Sequence, residues 1–171
     1  MRAFVTGSAL AIRPALPADA ERISAIYNHY VTETIVTFEE RPVTADEMRA
    51  RIVAVTGTLP WLVLECDGEV VGYAYAAPWK GRIGYRYTVE SSIYLAPGHL
   101  GHGFGSTLYG ALLEALSPLD VHSVIGGAAL PNPASVALHE KLGFEQVARF
   151  REVGRKFDRW IDVAYWQRWL S

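Results

Sequence analysis

Between residues 85 and 116 the chain changes its period. "YRYTVESSIYL" (85–95) is built of β-branched and aromatic residues, as a strand is, whereas Leu108, Leu112 and Leu116 recur at helical spacing. The change happens across "GHLGHGFG", with glycines at 98, 101, 103 and 105. Few folds take a strand through so much bare backbone straight into a helix. Glycine in an ordered element costs roughly 0.5–1 kcal/mol against alanine, so the backbone must gain something here. A helix N-terminus offers unpaired N–H groups and the positive end of a dipole, which suits the close approach of an anion.

The rest of the chain reads as alternating elements. "LAIRPA" predicts a first strand, and Ile23, Ile26, Tyr27 and Tyr30 mark one face of a helix over 18–31. Thr44 with Glu47 three residues on is a capping box opening a helix over 44–55, striped by Met48, Ile52 and Val55. "WLVLEC" and "EVVGYAYAA" flank Asp67-Gly68, a hairpin signal. "HSVIGGAAL" reads as a buried strand. Next comes a short helix, with Asn132 at the N-cap, Pro133 at the first position and Gly143 just past the end. Strands near 144–153 and 160–167 close the chain. The order β-α-α-β-β-β-α-β-α-β-β predicts an α/β fold, a mixed sheet with helices on its faces. A length of 171 residues suits one domain, read as 10–171, with residues 1–9 as a loose tail.

The formal net charge is −2 and no run of like charges occurs, so nothing points to nucleic acid or an anionic membrane. No stretch approaches the ~20 apolar residues of a membrane span. The N-terminal apolar run is broken by Thr6, Gly7 and Ser8, a poor signal peptide. Cys66 is the only cysteine, which excludes an internal disulfide and fits a reducing compartment. In "WLVLECDGE" it reads as buried strand filler. The expected location is the cytoplasm. His29, His99, His102, His122 and His139 form no ligand cluster in sequence, and no metal is expected.

Two phosphate-loop patterns fit the glycine run poorly. A P-loop needs Gly-Lys-Ser/Thr, but Gly105 is followed by Ser106-Thr107. A dinucleotide fingerprint needs G-x-G-x-x-G after the first strand, whereas this G-x-G-x-G follows a late one. A strand, then [Gln/Arg]-x-x-Gly-x-[Gly/Ala], then a helix resembles the pyrophosphate loop of the GNAT superfamily of acyl-CoA-dependent N-acyltransferases. Gly103 and Gly105 fit, while Leu100 stands where Gln or Arg is usual. "NPASVALHEKLGF" adds to the likeness, with His139 where the superfamily usually has tyrosine. "TVESSIYL", "HGFGSTLY" and "PWLVLECDGEVVGYAYAAPWKGRIGY" are similar to the phosphinothricin acetyltransferase branch, which includes the methionine sulfone and sulfoximine acetyltransferases.

The resemblance implies a GNAT fold, a mixed and mostly antiparallel sheet flanked by helices. It implies acetyl-CoA as co-substrate, an acetyl transfer to the α-amino group of a small amino acid or analogue, and by analogy a homodimer. Ile93, Tyr94 and Leu95 become backbone ligands of the pantetheine arm, which the side chain of Asn132 also meets. Gly101, His102, Gly103, Phe104, Gly105 and Ser106 hold the pyrophosphate. Glu90 is the general base: it alternates with Ser92 and Tyr94 onto one strand face, and burial would raise its pKa into a useful range. By residue type alone it reads equally as one end of a buried ion pair. His139 is either an imidazolium that protonates the departing sulfur or a residue that only packs or hydrogen-bonds the cofactor. "PWKGRIGYRY" puts Lys80, Arg82, Tyr85, Arg86 and Tyr87 just before the base, suited to an anionic acceptor. Phe38 is expected to wall the substrate pocket, and Trp79 and Trp160 to lie in the core. Two other readings are a different acceptor, such as a polyamine or a protein N-terminus, and a non-catalytic CoA-binding sensor. Leu100 favours the sensor and Glu90 opposes it.

Overall fold

The run Trp61–Leu64 has no polar residue, and it becomes a strand buried on both faces. The computed structural model describes residues 3–5 and 8–170. The strands are β1 (Ala3–Val5), β2 (Ser8–Pro14), β3 (Trp61–Cys66), β4 (Glu69–Pro78), β5 (Thr88–Leu95), β6 (Ser123–Ala129), β7 (Glu145–Lys156) and β8 (Arg159–Trp169). The helices are α1 (Ala20–Glu33), α2 (Ala45–Thr56), α3 (Phe104–Leu116) and α4 (Pro133–Lys141). Among the described residues the strands form one sheet in the order β1-β2-β3-β4-β5-β6-β8-β7. Only β5 and β6 run parallel, so the sheet is mixed and mostly antiparallel, as expected. Of the segment 1–9 expected as a tail, residues 1, 2, 6 and 7 lie outside the described residues. The backbone of Ala3–Val5 pairs with Ser8–Leu10. No described helix is long and apolar enough to cross a membrane.

Strand alternation divides the core in two. Trp61, Val63 and Tyr73 turn to α1 and α2, and meet Ile23, Ile26, Tyr27 and Ile52. Leu62, Leu64, Val71 and Val89 turn to α3, and meet its stripe of Leu108, Leu112 and Leu116. The local signals fold as read. Thr44 Oγ1 accepts from Glu47 N at 3.1 Å, and Glu47 returns a carboxylate to Thr44 N at 2.8 Å. Asp67 and Gly68 both have positive φ, as a two-residue hairpin turn requires.

Three expectations shift. The strand read over 85–95 begins only at Thr88, because residues 83–85 turn as a 3-10 segment. The closing hairpin is longer than read, and its bulge between Phe150 and Gly154 inserts residues opposite Asp162. Trp160 is 62% exposed on that hairpin, not in the core, because there β8 is paired only to β7, beyond the stretch Val163–Trp169 that pairs with β6. Trp79 is half-buried, edge-on to Tyr165.

What positions the site is a fork. β5 and β6 pair only over Thr88–Ser91 and Ser123–Gly126, then part. Beyond that point β5 stays paired to β4, and β6 to β8.

Candidate active site

The fork exposes backbone on both sides. Ala96 N donates to Val71 O at 2.8 Å, so by antiparallel alternation Tyr94 and Ser92 spend their N–H and C=O groups on β4. Ile93 and Leu95 turn theirs toward the fork. Leu130 N donates to Asp162 O at 2.9 Å, so Gly127 and Ala129 turn theirs toward it from β6. The Leu95 carbonyl already accepts from Tyr30 Oη at 2.5 Å. Of the three expected backbone ligands, Ile93 and Leu95 therefore have the right orientation and Tyr94 does not. A cavity of about 830 Å3 occupies the fork, lined among others by Glu90, Ile93, Leu95, Tyr109, Asn132 and His139.

Glu90 and Tyr94 face the α1 side of the sheet, Ser91 and Ile93 the α3 side. Glu90 is half-buried, and burial pushes its carboxyl above the ordinary range while the charge of Lys80 acts the other way. Val89 and Ile93, on either side of it in sequence, turn to the opposite face and do not cover it. Ala77 stands across from it on β4, and Tyr165 is close enough for its phenol to sense the carboxylate. Among the described residues Glu90 makes no ion pair, so it is not one end of a buried salt bridge.

On the other face three side chains bridge the point where the strands part. Ser91, the last residue of β5 paired to β6, has its Oγ 2.5 Å from Tyr109 Oη. Tyr109 Oη lies 3.3 Å from His139 Nε2, and His139 Nδ1 donates to the Ser135 carbonyl at 2.7 Å. That bond fixes the proton on Nδ1 and leaves Nε2 an acceptor. His139 is buried, stacked on Trp166 with ring centroids 5.4 Å apart. Burial pushes its pKa below the ordinary histidine value, against the hydrogen bond to the Ser135 carbonyl, and pushes the Tyr109 phenol up. The ring is thus held neutral, and an imidazolium proton source is disfavoured on this geometry. Tyr109 keeps its proton at neutral pH. A side chain at Gly126 would run into His139 Nε2 and approach Tyr109 Oη to 3.1 Å. Gly126→Ala should cost about 1–3 kcal/mol of stability by overpacking, a fall in Tm that calorimetry reads directly.

The glycine loop ends in a helix start with no side-chain cap. Gly103 holds the N-cap of α3 at φ +79°, a conformation that favours glycine, and the first-turn N–H groups of Phe104, Gly105 and Ser106 follow it. Gly101 and His102 are exposed, whereas Phe104 is buried with its ring stacked on His99. A Cβ at Gly105 would meet Leu138 at 3.6 Å and Leu95 at 3.7 Å, ordinary contacts, so the fold itself requires glycine at 103 but not at 105. Leu100 is exposed and lines the cavity. Asn132 caps α4, its Oδ1 accepting from Ser135 N at 3.1 Å, and borders the cavity as well. Unpaired fork backbone, bare helix-start N–H groups and a cavity that reaches Leu100 at the edge of the glycine loop fit a ligand with a diphosphate and an amide-bearing arm.

The expected acceptor residues divide. Phe38 lines the cavity. Lys80, Arg82, Tyr85, Arg86 and Tyr87 do not; they are exposed on the segment entering β5, with Arg86 over the Tyr87 ring at 4.1 Å. The 3-10 turn carries them outward, and only through its charge on Glu90 does Lys80 bear on the site. Sequence reasoning missed Tyr109, Tyr165 and Gly154. Tyr109 sits beside Leu108 on an apolar helix and reads as core. A hydroxyl on that buried face, which requires a partner, was the one available signal.

The description of a GNAT acetyltransferase domain matches residues 12–165. The phosphinothricin N-acetyltransferase of Streptomyces coelicolor is 40% identical over 92% of this chain and 94% of its own length. The L-methionine sulfoximine/L-methionine sulfone acetyltransferase of Salmonella typhimurium is 39% identical over 95% of each. The crystal structure of a phosphinothricin acetyltransferase from Sinorhizobium meliloti in complex with acetyl-CoA superposes with a TM-score of 0.91 at 37% identity, covering 95% of this chain and 89% of that one.

Proposed function

This chain belongs to the GNAT family of acetyltransferases, and from that premise we propose that it acetylates the α-amino group of a small amino acid or analogue, of the phosphinothricin or methionine sulfone type. The observation that carries the reading is the pairing of an unpartnered, half-buried carboxylate with a buried phenol on opposite faces of β5, at the point where β5 and β6 part. Acetyl-CoA supplies an activated acetyl thioester and a sulfur leaving group. Ile93, Leu95, Gly127 and Ala129 offer the fork backbone to its arm, and the start of α3 offers N–H groups to its diphosphate.

Glu90 takes a proton from the acceptor ammonium, directly or through water, so that the free amine can attack. Its raised pKa brings it closer to the amine and makes it a better base than a solvated carboxylate. Tyr109 stands on the leaving-group side and, turning its one O–H away from His139 Nε2, gives its proton to the departing sulfur. His139 orients Tyr109 through its bare Nε2 and stays neutral. Phe38 walls the acceptor. Lys80, whose charge reaches Glu90, offers a cation to the acceptor's anionic end.

The glycine loop is expected to bind through backbone. Gly103→Val forces a β-branched residue into positive φ and should lower acetyl-CoA affinity at least tenfold by calorimetry, whereas Leu100→Ala should change it less than threefold. The reverse ranking would make the side chain at 100 the contact.

The function itself is tested by incubating the protein with acetyl-CoA and a panel of acceptors while following free thiol release. Phosphinothricin, methionine sulfone and methionine sulfoximine should give turnover. A polyamine and a peptide with a free N-terminus should not, and turnover on these alone would replace the small-acceptor reading.

A further inference from the structure

Lys156 is 3% exposed, and no other lysine, arginine, aspartate or glutamate among the described residues is buried. It is the last residue of β7, and its Nζ reaches across the molecule to donate to the carbonyl of Thr37 at 2.7 Å and of Tyr30 at 3.3 Å. It makes no ion pair among the described residues; the negative charge that acts on it is that of the exposed Glu40. A buried ammonium persists only where its lost hydration is replaced. Here two carbonyl dipoles replace it, and that of Tyr30 belongs to the last turn of α1, the negative end of the helix.

Both carbonyls belong to residues of the cavity wall. Tyr30, Thr37 and Phe38 line the cavity, and Thr37 Oγ1 is also 2.7 Å from Tyr27 Oη. Gly154, two residues before Lys156 on the same face of β7, lies under the Phe38 ring, where any side chain would collide with it. β7 therefore meets this wall at two points, by bare backbone under a ring and by an ammonium on two carbonyls.

We propose that Lys156 is a positioning residue for the acceptor: it ties the Val36–Phe38 wall to β7 and so sets the width of the acceptor half of the cavity. The proposal rests on the reading of the site as an amino-acid acetyltransferase. Lys156 makes no hydrogen bond to the fork backbone or to the glycine loop, so its effect should fall on the acceptor and not on acetyl-CoA.

Lys156→Met keeps the aliphatic stem and removes the donor. Thiol-release kinetics with methionine sulfone should show the acceptor KM raised at least tenfold, acetyl-CoA KM changed less than twofold and kcat less than threefold. Amide hydrogen exchange, measured without acceptor, should quicken over residues 34–40 and not in α3. An unchanged acceptor KM, a loss confined to kcat, or unchanged exchange at 34–40 overturns the proposal. If the methionine variant does not fold, Lys156→Arg carries the test. The planar guanidinium is larger than an ammonium and cannot enter the same buried place without shifting the carbonyls, so the acceptor KM should rise at least threefold, and a wild-type value overturns the proposal. Should the wild-type protein release no thiol with any amino acid offered, the functional reading fails. The exchange of 34–40 in the variants then still decides whether Lys156 holds the wall.

Discussion

Glu90→Gln is expected to lower kcat on the order of 10²-fold, the size of effect typical of losing a general base. Acetyl-CoA affinity should be preserved, because the fork backbone and the start of α3 are untouched. The pH profile gives a second readout. The carboxylate must be deprotonated to act, and burial holds its pKa above the ordinary range. The wild-type rate should therefore rise with pH through an acid limb placed above the usual carboxylate value, and that limb should vanish in the variant. Stability follows the opposite sign. A carboxyl whose folded pKa is raised destabilises the fold as pH climbs past its unfolded value. Glutamine removes that burden, so the variant should melt no lower than wild type at neutral pH. Equal turnover of the two proteins at saturating substrate would remove Glu90 from the mechanism.

The second large effect is expected at Tyr109. Tyr109→Phe deletes the phenol that bridges Ser91 and His139, and turnover should fall at least ~tenfold, at the low end for loss of a general acid. His139→Phe distinguishes the two possible donors. If an imidazolium were the acid, the wild-type rate would fall as pH rises through the His139 pKa, which burial has already lowered. Most of that activity would be gone at neutral pH, and His139→Phe would abolish the falling limb. If Tyr109 is the acid, no such limb exists near neutrality, because burial has raised the phenol's pKa. His139→Phe then costs less than Tyr109→Phe and leaves the shape of the profile intact. A falling limb near or below pH 7 that disappears with His139→Phe would return the role to the histidine.

What the sequence by itself determined is local. The Thr44–Glu47 box, the Asp67-Gly68 turn, the Asn132 cap and Gly103 at the start of α3 are written in adjacent residues. The first three satisfy backbone groups within a turn of themselves, Gly103 supplies the positive φ of its own position, and no distant contact is needed to read any of them. The face that Glu90 shares with Tyr94 is legible for the same reason, since alternation along a strand is a property of the strand alone. The tertiary structure decided everything that depends on where strands stop pairing and which distant chains meet. The register of β5 against β6 ends at Ser91 and Gly126, and only that ending turns Ile93 and Leu95 toward a ligand while Tyr94 backs onto β4. Tyr109 reads as core until Ser91 and His139 close around its hydroxyl from two other elements. The basic, aromatic stretch from Lys80 to Tyr87 has the composition of a binding site, yet a 3-10 turn carries it to the exposed surface. Lys156 meets carbonyls 119 and 126 residues away. Burial and charge pairing depend on the arrangement of the whole chain, and so the proton-handling groups acquired their chemistry only when the sheet forked.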